Sequence, residues 1–250
     1  MTNNPDKKYS GKHNFAKSFL FHIIPGVLTT IGFILFRPLV ENLGFPPLLA
    51  FLAAVLILDI PFMMIVIRKS SKNSYNIDGI KTNIDYREKT PWKAFLLIFI
   101  AAFVGLNFLI NLLTPLTAIL TQRVFGFLPE WVFLDNQSSY SSYSKTVLIT
   151  VFTLQLVITG ILLPWVEEFY FRGFLLPRIP GASKWAPVLG GIFFGLYHLW
   201  QLYAFPTVFI LGTALGYIVW WKKDIRLSIS LHVFANVVSR LIFLFFAISI

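Results

Sequence analysis

Seven apolar blocks follow one another along the chain, separated by short polar stretches. They cover residues 19–36, 45–67, 94–113, 145–171, 187–203, 206–221 and 227–248. Blocks near the ~20 residues that cross a bilayer predict transmembrane helices. The stretch 114–134 is also apolar, but Pro115, Gln122, Arg123, Pro129 and Glu130 interrupt it. It predicts an interfacial or re-entrant helix rather than a crossing. The first block is longer than a signal-peptide core and no small-residue cleavage site follows it, so it reads as an anchored helix. The expectation is an all-α fold, a polytopic transmembrane bundle of about seven to eight membrane helices. A polar N-terminal tail, 1–18, precedes a single membrane domain, 19–250.

Composition strengthens this picture. Hydrophobic residues make up 56% of the chain, charged ones only 13%, and there are 27 Phe. Ordinary soluble domains carry about twice that share of charge. The net charge of +10 has two readings. No basic helix or aromatic-basic strand pattern supports nucleic acid as a partner. The Lys and Arg residues instead gather in 1–18, 68–93, 172–184 and 222–226, and are sparse in 37–44, 114–145 and 203–206. Alternation of this kind orients a multi-pass plasma-membrane protein with its N-terminus in the cytoplasm. It places the end of the fourth block on the cytoplasmic side, so a site there is expected to face the cytoplasmic leaflet. Absence of Cys removes disulfides and thiol catalysis. No internal repeat is evident.

The fourth block ends in Pro164-Trp-Val-Glu-Glu-Phe-Tyr-Phe-Arg172. Charged groups at bilayer depth cost about 2.5–3.5 kcal/mol each on insertion scales, so this cluster asks for an explanation. Neighbours on a helix point about 100° apart, so Glu167 and Glu168 face different ways. Glu168 and Arg172 stand four apart in the favourable acid-then-base order. That pairing leaves Glu167 free for general-base work. The plainer alternative is a cluster that marks the membrane border. Further polar groups shift the balance. His198 lies deep in the fifth block, and His232 and Asn236 share a face of the seventh. Gly191 with Gly195, and Gly212 with Gly216, predict close helix packing that would carry His198 inward. Asp59, just before Pro61, is read as structural: a cap, a partner for Arg240, or a cavity wall. Arg240 follows Asn236 by one turn. His22, Asn107, Asn111, Gln155 and Gln201 are read as interhelical hydrogen-bonders.

Glu-Glu-x-x-x-Arg at 167–172, Phe-x-x-x-His at 194–198 and His-x-x-x-Asn at 232–236, in this order on hydrophobic helices, resemble the CPBP family. These are CAAX-processing and bacteriocin-processing intramembrane proteases, related to Rce1-type endopeptidases. The resemblance covers about 146–245. It implies mostly eight membrane helices and peptide hydrolysis without a Ser or Cys nucleophile. By motif, Glu167 and His198 would activate water, and His232 and Asn236 would stabilise the oxyanion. Glu168, Arg172 and Phe194 would support them. Metal-free catalysis is preferred, because no compact motif such as His-Glu-x-x-His is present. Zinc on Glu167, His198 and His232 is the alternative. The substrate expected is a membrane-associated peptide or protein. A competing function is a non-enzymatic bacteriocin self-immunity or scaffold protein. A transporter or channel ranks last, since the charges gather on one side and no inverted repeat is visible.

Overall fold

Each of the seven blocks forms a helix in the computed structural model, which describes residues 12–70, 75–77, 80–82, 84–134, 137–181 and 183–249. They are α1 (Phe15–Asn42), α2 (Pro47–Lys69), α3 (Trp92–Val124), α4 (Lys145–Arg178), α5 (Ala186–Tyr197), α6 (Phe205–Lys222) and α7 (Ile225–Ser249). The fold is a helical polytopic bundle, as expected. Six segments are long and apolar enough to cross a membrane, the fifth being Leu199–Lys222, which joins α6 to the 3₁₀ turn before it. The helix α5, of 12 residues, is too short to do so alone. A small antiparallel hairpin, β1 (Tyr75–Ile77) with β2 (Ile80–Thr82), sits in the loop after α2. Of the expected tail 1–18, residues 1–11 lie outside the described residues, and helix begins at Phe15.

Two expectations about boundaries need correction. The third block continues as helix to Val124, through Pro115. Thr114 and Thr121 donate back to Ile110 O and Thr117 O on the preceding turns. What remains of 114–134 is no interfacial helix. It is a loop with one 3₁₀ turn, Glu130–Val132, folded back on the bundle. There Trp131 packs edge-on against Phe33, and the Arg37 guanidinium lies 4.2 Å over its ring. The fifth block is also not one helix. Regular helix stops at Tyr197, His198 takes φ −77°, ψ 50°, and a 3₁₀ turn runs on to Ala204.

Glycines set the approach of α5 to its neighbours. A Cβ at Gly191 would stand 2.1 Å from Thr213 Oγ1, and one at Gly212 would stand 3.3 Å from Gly191 Cα. The two small-residue faces therefore meet, as their spacing predicts. At the end of α5 a Cβ on Gly26 of α1 would fall 1.9 Å from Tyr197 O. Only glycine lets the α1 backbone reach that carbonyl.

Two helices are widened where proline removes a backbone donor. Pro61 in α2 follows a π-helical segment, Val55–Asp59, and Pro164 in α4 follows another, Leu156–Leu162. Proline cannot donate to the carbonyl four residues back. Those carbonyls, of Ile57 and Gly160, fall inside the two π segments. A third π segment, Glu168–Leu175, carries the end of the acidic motif. Such segments concentrate at functional sites.

A strap of chain, 84–90, closes the face that carries the basic loops. Asp85 N donates to Gly173 O, Glu88 N to Lys223 O and Thr90 N to Asp224 Oδ2, while Ile225 N donates to Tyr86 O. Buried Asp85 pairs with Arg178 at 3.0 Å. Asp224 caps α7 by accepting from Arg226 N. Burial opposes its charge, but hydrogen bonds from Arg226 and Thr90 outweigh that and hold its carboxyl below the usual range.

Candidate active site

The polar residues of the three motifs converge inside the bundle. Glu168, fully buried on α4, accepts from two directions at one oxygen. Arg172 Nη1 lies 3.0 Å from Oε1 and His232 Nδ1 lies 2.8 Å from it. The pairing expected four residues apart is present, with His232 joined to it. Arg172 also donates to Gly212 O and stacks 4.1 Å over Phe194. One cation thereby ties α4 to α6 and to the Phe194 ring on α5.

Glu167 is turned away from that pair. Its Oε2 faces His232 Nε2 at 3.8 Å, and its Oε1 is buried without a hydrogen-bond partner. His198 sits where α5 breaks. A helix end leaves its last carbonyls without intrahelical partners, and the His198 ring answers one of them: Nδ1 donates to Phe194 O at 2.8 Å. That hydrogen bond fixes the tautomer, because a carbonyl can only accept. In the neutral ring Nε2 then carries a lone pair. On α7, Asn236 lies one turn beyond His232 and donates to His232 O at 3.1 Å. Its second amide hydrogen remains for another acceptor.

Glu167, His198, His232 and Asn236 line one cavity of about 80 Å³, together with Gln155, Thr159, Gln201 and Arg240. This is room for water among several polar partners. On α4 the lining runs from Glu167 back to Gln155, and on α7 from His232 on to Arg240. Leu48 and Leu134, at the ends of α2 and of the returning loop, complete the wall. The cavity therefore leads from Glu167 away from the face of the basic loops. On the basic-loop side Phe171, Phe174, Leu175 and Arg178 are buried and the strap lies beyond them. The expectation of an opening towards the basic loops is corrected accordingly: α4 continues for three turns past Glu167 in that direction, and its side chains fill the space. A second, apolar cavity of about 170 Å³ lies among α3, α6 and α7. His198, Gln201, His232 and Asn236 line both cavities, so these four residues form the wall between a polar chamber and an apolar groove.

Sequence reasoning missed Tyr197. Its hydroxyl donates to Asp59 Oδ2 at 2.5 Å. Asp59 is fully buried, and its other oxygen has no hydrogen-bond partner. Two helices outside the motif set, α1 and α2, thus close the back of the site. Adjacency to His198 was the signal for Tyr197, and an intramembrane acid beside a proline was the signal for Asp59. Some expected interhelical bonds are instead local. Asn107 and Asn111 donate to Phe103 O and Asn107 O of their own helix, and His22 Nδ1 meets Ser18 O. In lipid, a carbonyl four residues back is the nearest acceptor.

Zinc on Glu167, His198 and His232 does not fit this arrangement. Among the described residues no three His, Cys, Asp or Glu side chains are placed to hold one ion together. The chemistry is therefore derived from the side chains alone.

Residues 149–238 match a protein-family model described as type II CAAX prenyl endopeptidase Rce1-like. Over this segment the chain is similar to the Rce1-like family. The segment holds all three motifs, which places the CPBP resemblance on the helices that build the cavity. No curated protein and no solved structure matches the chain. The Rce1-like segment leaves out α1, α2 and α3, and with them Asp59.

Proposed function

We propose that the chain is an intramembrane endopeptidase that hydrolyses a peptide bond of a membrane-associated protein or peptide. The observation that carries this reading is the joint lining of one polar cavity by Glu167, His198, His232 and Asn236, at bilayer depth. Hydrolysis needs water where lipid excludes it, a base to take a proton, and donors where negative charge develops.

A water between Glu167 and His198 gives its proton to the Glu167 carboxylate while its oxygen bonds to the scissile carbonyl carbon. His198 Nε2 accepts the water's other hydrogen in a hydrogen bond and fixes its direction. The carbonyl oxygen gains the displaced electron pair. Asn236 Nδ2–H and a protonated His232 Nε2 donate to that oxyanion. Glu168, paired with Arg172, accepts from His232 Nδ1 and holds the ring's Nε2 towards the cavity. As the carbon–nitrogen bond breaks, Glu167 returns its proton to the departing amine.

The test is the full chain in lipid nanodiscs, given a farnesylated peptide and an unmodified membrane-anchored peptide, with products read by mass spectrometry. The prenylated probe follows from the description of the matched family. Glu167→Gln is expected to lower turnover at least about a hundredfold, the low end of what a general base contributes, with unchanged thermal unfolding. Processing that survives in a well-folded Glu167→Gln chain would refute the reading and favour a binding or immunity role.

A further inference from the structure

The face of the basic loops carries charge that the cavity does not use. The strap and the turn between α6 and α7 come from distant parts of the chain, and the Thr90 N to Asp224 Oδ2 hydrogen bond of 2.8 Å joins them. Arg226 reinforces the joint: it donates to Thr90 O and lies 5.7 Å over Phe95 in the first turn of α3. Together residues 84–93 and 222–226 hold six cations and three carboxylates. Two of those carboxylates, Asp85 and Asp224, are buried and already paired, with Arg178 and with Arg226. Glu88 is the remaining acid of the two segments. Among the described residues, Lys89, Lys93 and Lys222 have no carboxylate within ion-pair distance.

Aromatic rings mark the depth of this charge. Trp92 opens α3, Trp221 stands one residue from the end of α6, and Trp185 immediately precedes α5. All three are exposed, and each has the ammonium of a neighbouring lysine over its ring: Lys93 at 5.8 Å, Lys222 at 3.7 Å and Lys184 at 5.9 Å. Indoles collect where hydrocarbon meets headgroups, and a lysine there keeps its stem on apolar surface and its ammonium on the polar side. Exposed tryptophans at three helix ends thus set the headgroup level on this face, and the lysines beside them stand among lipid phosphates. The start of α3 adds to the field. Its first turn holds no acid and Pro91 provides no side-chain cap, so the positive end of the helix lies beside Lys93.

We propose that the corner where the strap meets the α6–α7 turn binds the headgroup of an anionic phospholipid, with Lys93 and Lys222 as its principal ligands and Lys89 beside them. Charge complementarity selects the phosphate. The flanking indoles select a lipid over a soluble anion, because they hold the lysines in the layer where lipid phosphates are concentrated. A headgroup with no positive charge of its own, such as that of phosphatidylglycerol, keeps its full attraction, whereas the choline of phosphatidylcholine competes with the lysines for the phosphate. The same lipid steadies α3. That helix has no buried residue, so a headgroup shared between Lys93 of α3 and Lys222 of α6 adds a tie at this end. The site is separate from the cavity and does not depend on the endopeptidase reading.

The experiment places the full chain in nanodiscs of equal parts phosphatidylcholine and phosphatidylglycerol, releases it intact into a mass spectrometer and compares the lipids that stay bound. Lysines near an anionic surface contribute about fivefold each, the equivalent of about 1 kcal/mol, so phosphatidylglycerol should be retained at least about tenfold over phosphatidylcholine. Lys93→Gln and Lys222→Gln should each lower that preference about fivefold, and the two together should bring it near unity. Lys184→Gln, on the same face but at another helix end, should leave it nearly unchanged. Inorganic phosphate in the buffer should displace none of the bound lipid. No preference, or one that survives the double substitution, overturns the site. A loss in Lys184→Gln equal to that in Lys222→Gln would mean charge spread over the whole face and overturns it as well. Displacement by inorganic phosphate overturns the choice of a lipid and assigns the corner to a soluble anion.

Discussion

The helices α2 and α4 use the same device to bury an acid, and they put it to different use. Each is widened by a π segment at the carbonyl that a proline leaves without a donor, and each holds a buried carboxyl oxygen without a hydrogen-bond partner, on Asp59 and on Glu167. The acids differ in what lies in front of them. Glu167 faces a cavity lined by His198, His232 and Asn236, whereas Asp59 is absent from that lining and accepts from Tyr197 behind it. Burial is common to both. Access to the cavity and to its line of donors is what separates the two acids.

Substitutions can break or sharpen that distinction. The largest effect is expected from Glu167→Gln, a loss of at least about a hundredfold in turnover. Asp59→Asn and Tyr197→Phe should each lower kcat about tenfold, the scale of one hydrogen bond to a charged group. KM should barely change, and the double variant should be little worse than either single one, as for two members of one contact. An Asp59→Asn loss as deep as that of Glu167→Gln would erase the difference between the two acids. The prolines come next. Alanine at Pro164 restores a donor to Gly160 and rotates the later turns of α4, Glu167 among them, so activity should fall severalfold, within what small misplacements cost. In α2 the acid precedes the proline, so Pro61→Ala should change turnover less than twofold. Equal losses would mean that both π segments position reactive groups.

The smallest effect is expected far from both acids. Asp224→Ala, which removes the cap of α7, should cost about 1 kcal/mol in thermal unfolding. The folded carboxyl titrates below its unfolded range of about 3.9. Its share of stability is therefore present above that value and lost as pH falls through the folded one. The gap between wild type and Asp224→Asn should close on acidification below about pH 4 and stay constant above pH 6.

Much of this was legible in the chain, for physical reasons that can be named. Apolar length located all seven helices, because lipid leaves backbone groups no other partner. The i,i+4 rule placed Glu168 on Arg172, and the glycine spacings of α5 and α6 foretold their contact. Three features were not legible. The end of α5 at His198 depends on α1 pressing Gly26 against Tyr197 O, a contact between residues far apart in sequence. The Asp59–Tyr197 bond is tertiary in the same way. The course of 125–134 is decided by Trp131 finding Phe33 and Arg37, which hydropathy does not encode. The direction of the cavity was misjudged because loop charge reports which side a helix end occupies and says nothing of where side chains leave space.

The shortness of α5 is made good by protein rather than by lipid. Twelve residues make a rod of about 18 Å, against a hydrocarbon layer near 30 Å. No residue of α5 is exposed and His198 at its end is buried, so neighbouring helices and the 3₁₀ turn, rather than acyl chains, fill the remaining depth. A helix can break at that depth where protein surrounds it, and the break at His198 then sets no demand on bilayer thickness: lipids of different chain length should leave the geometry around His198 unchanged.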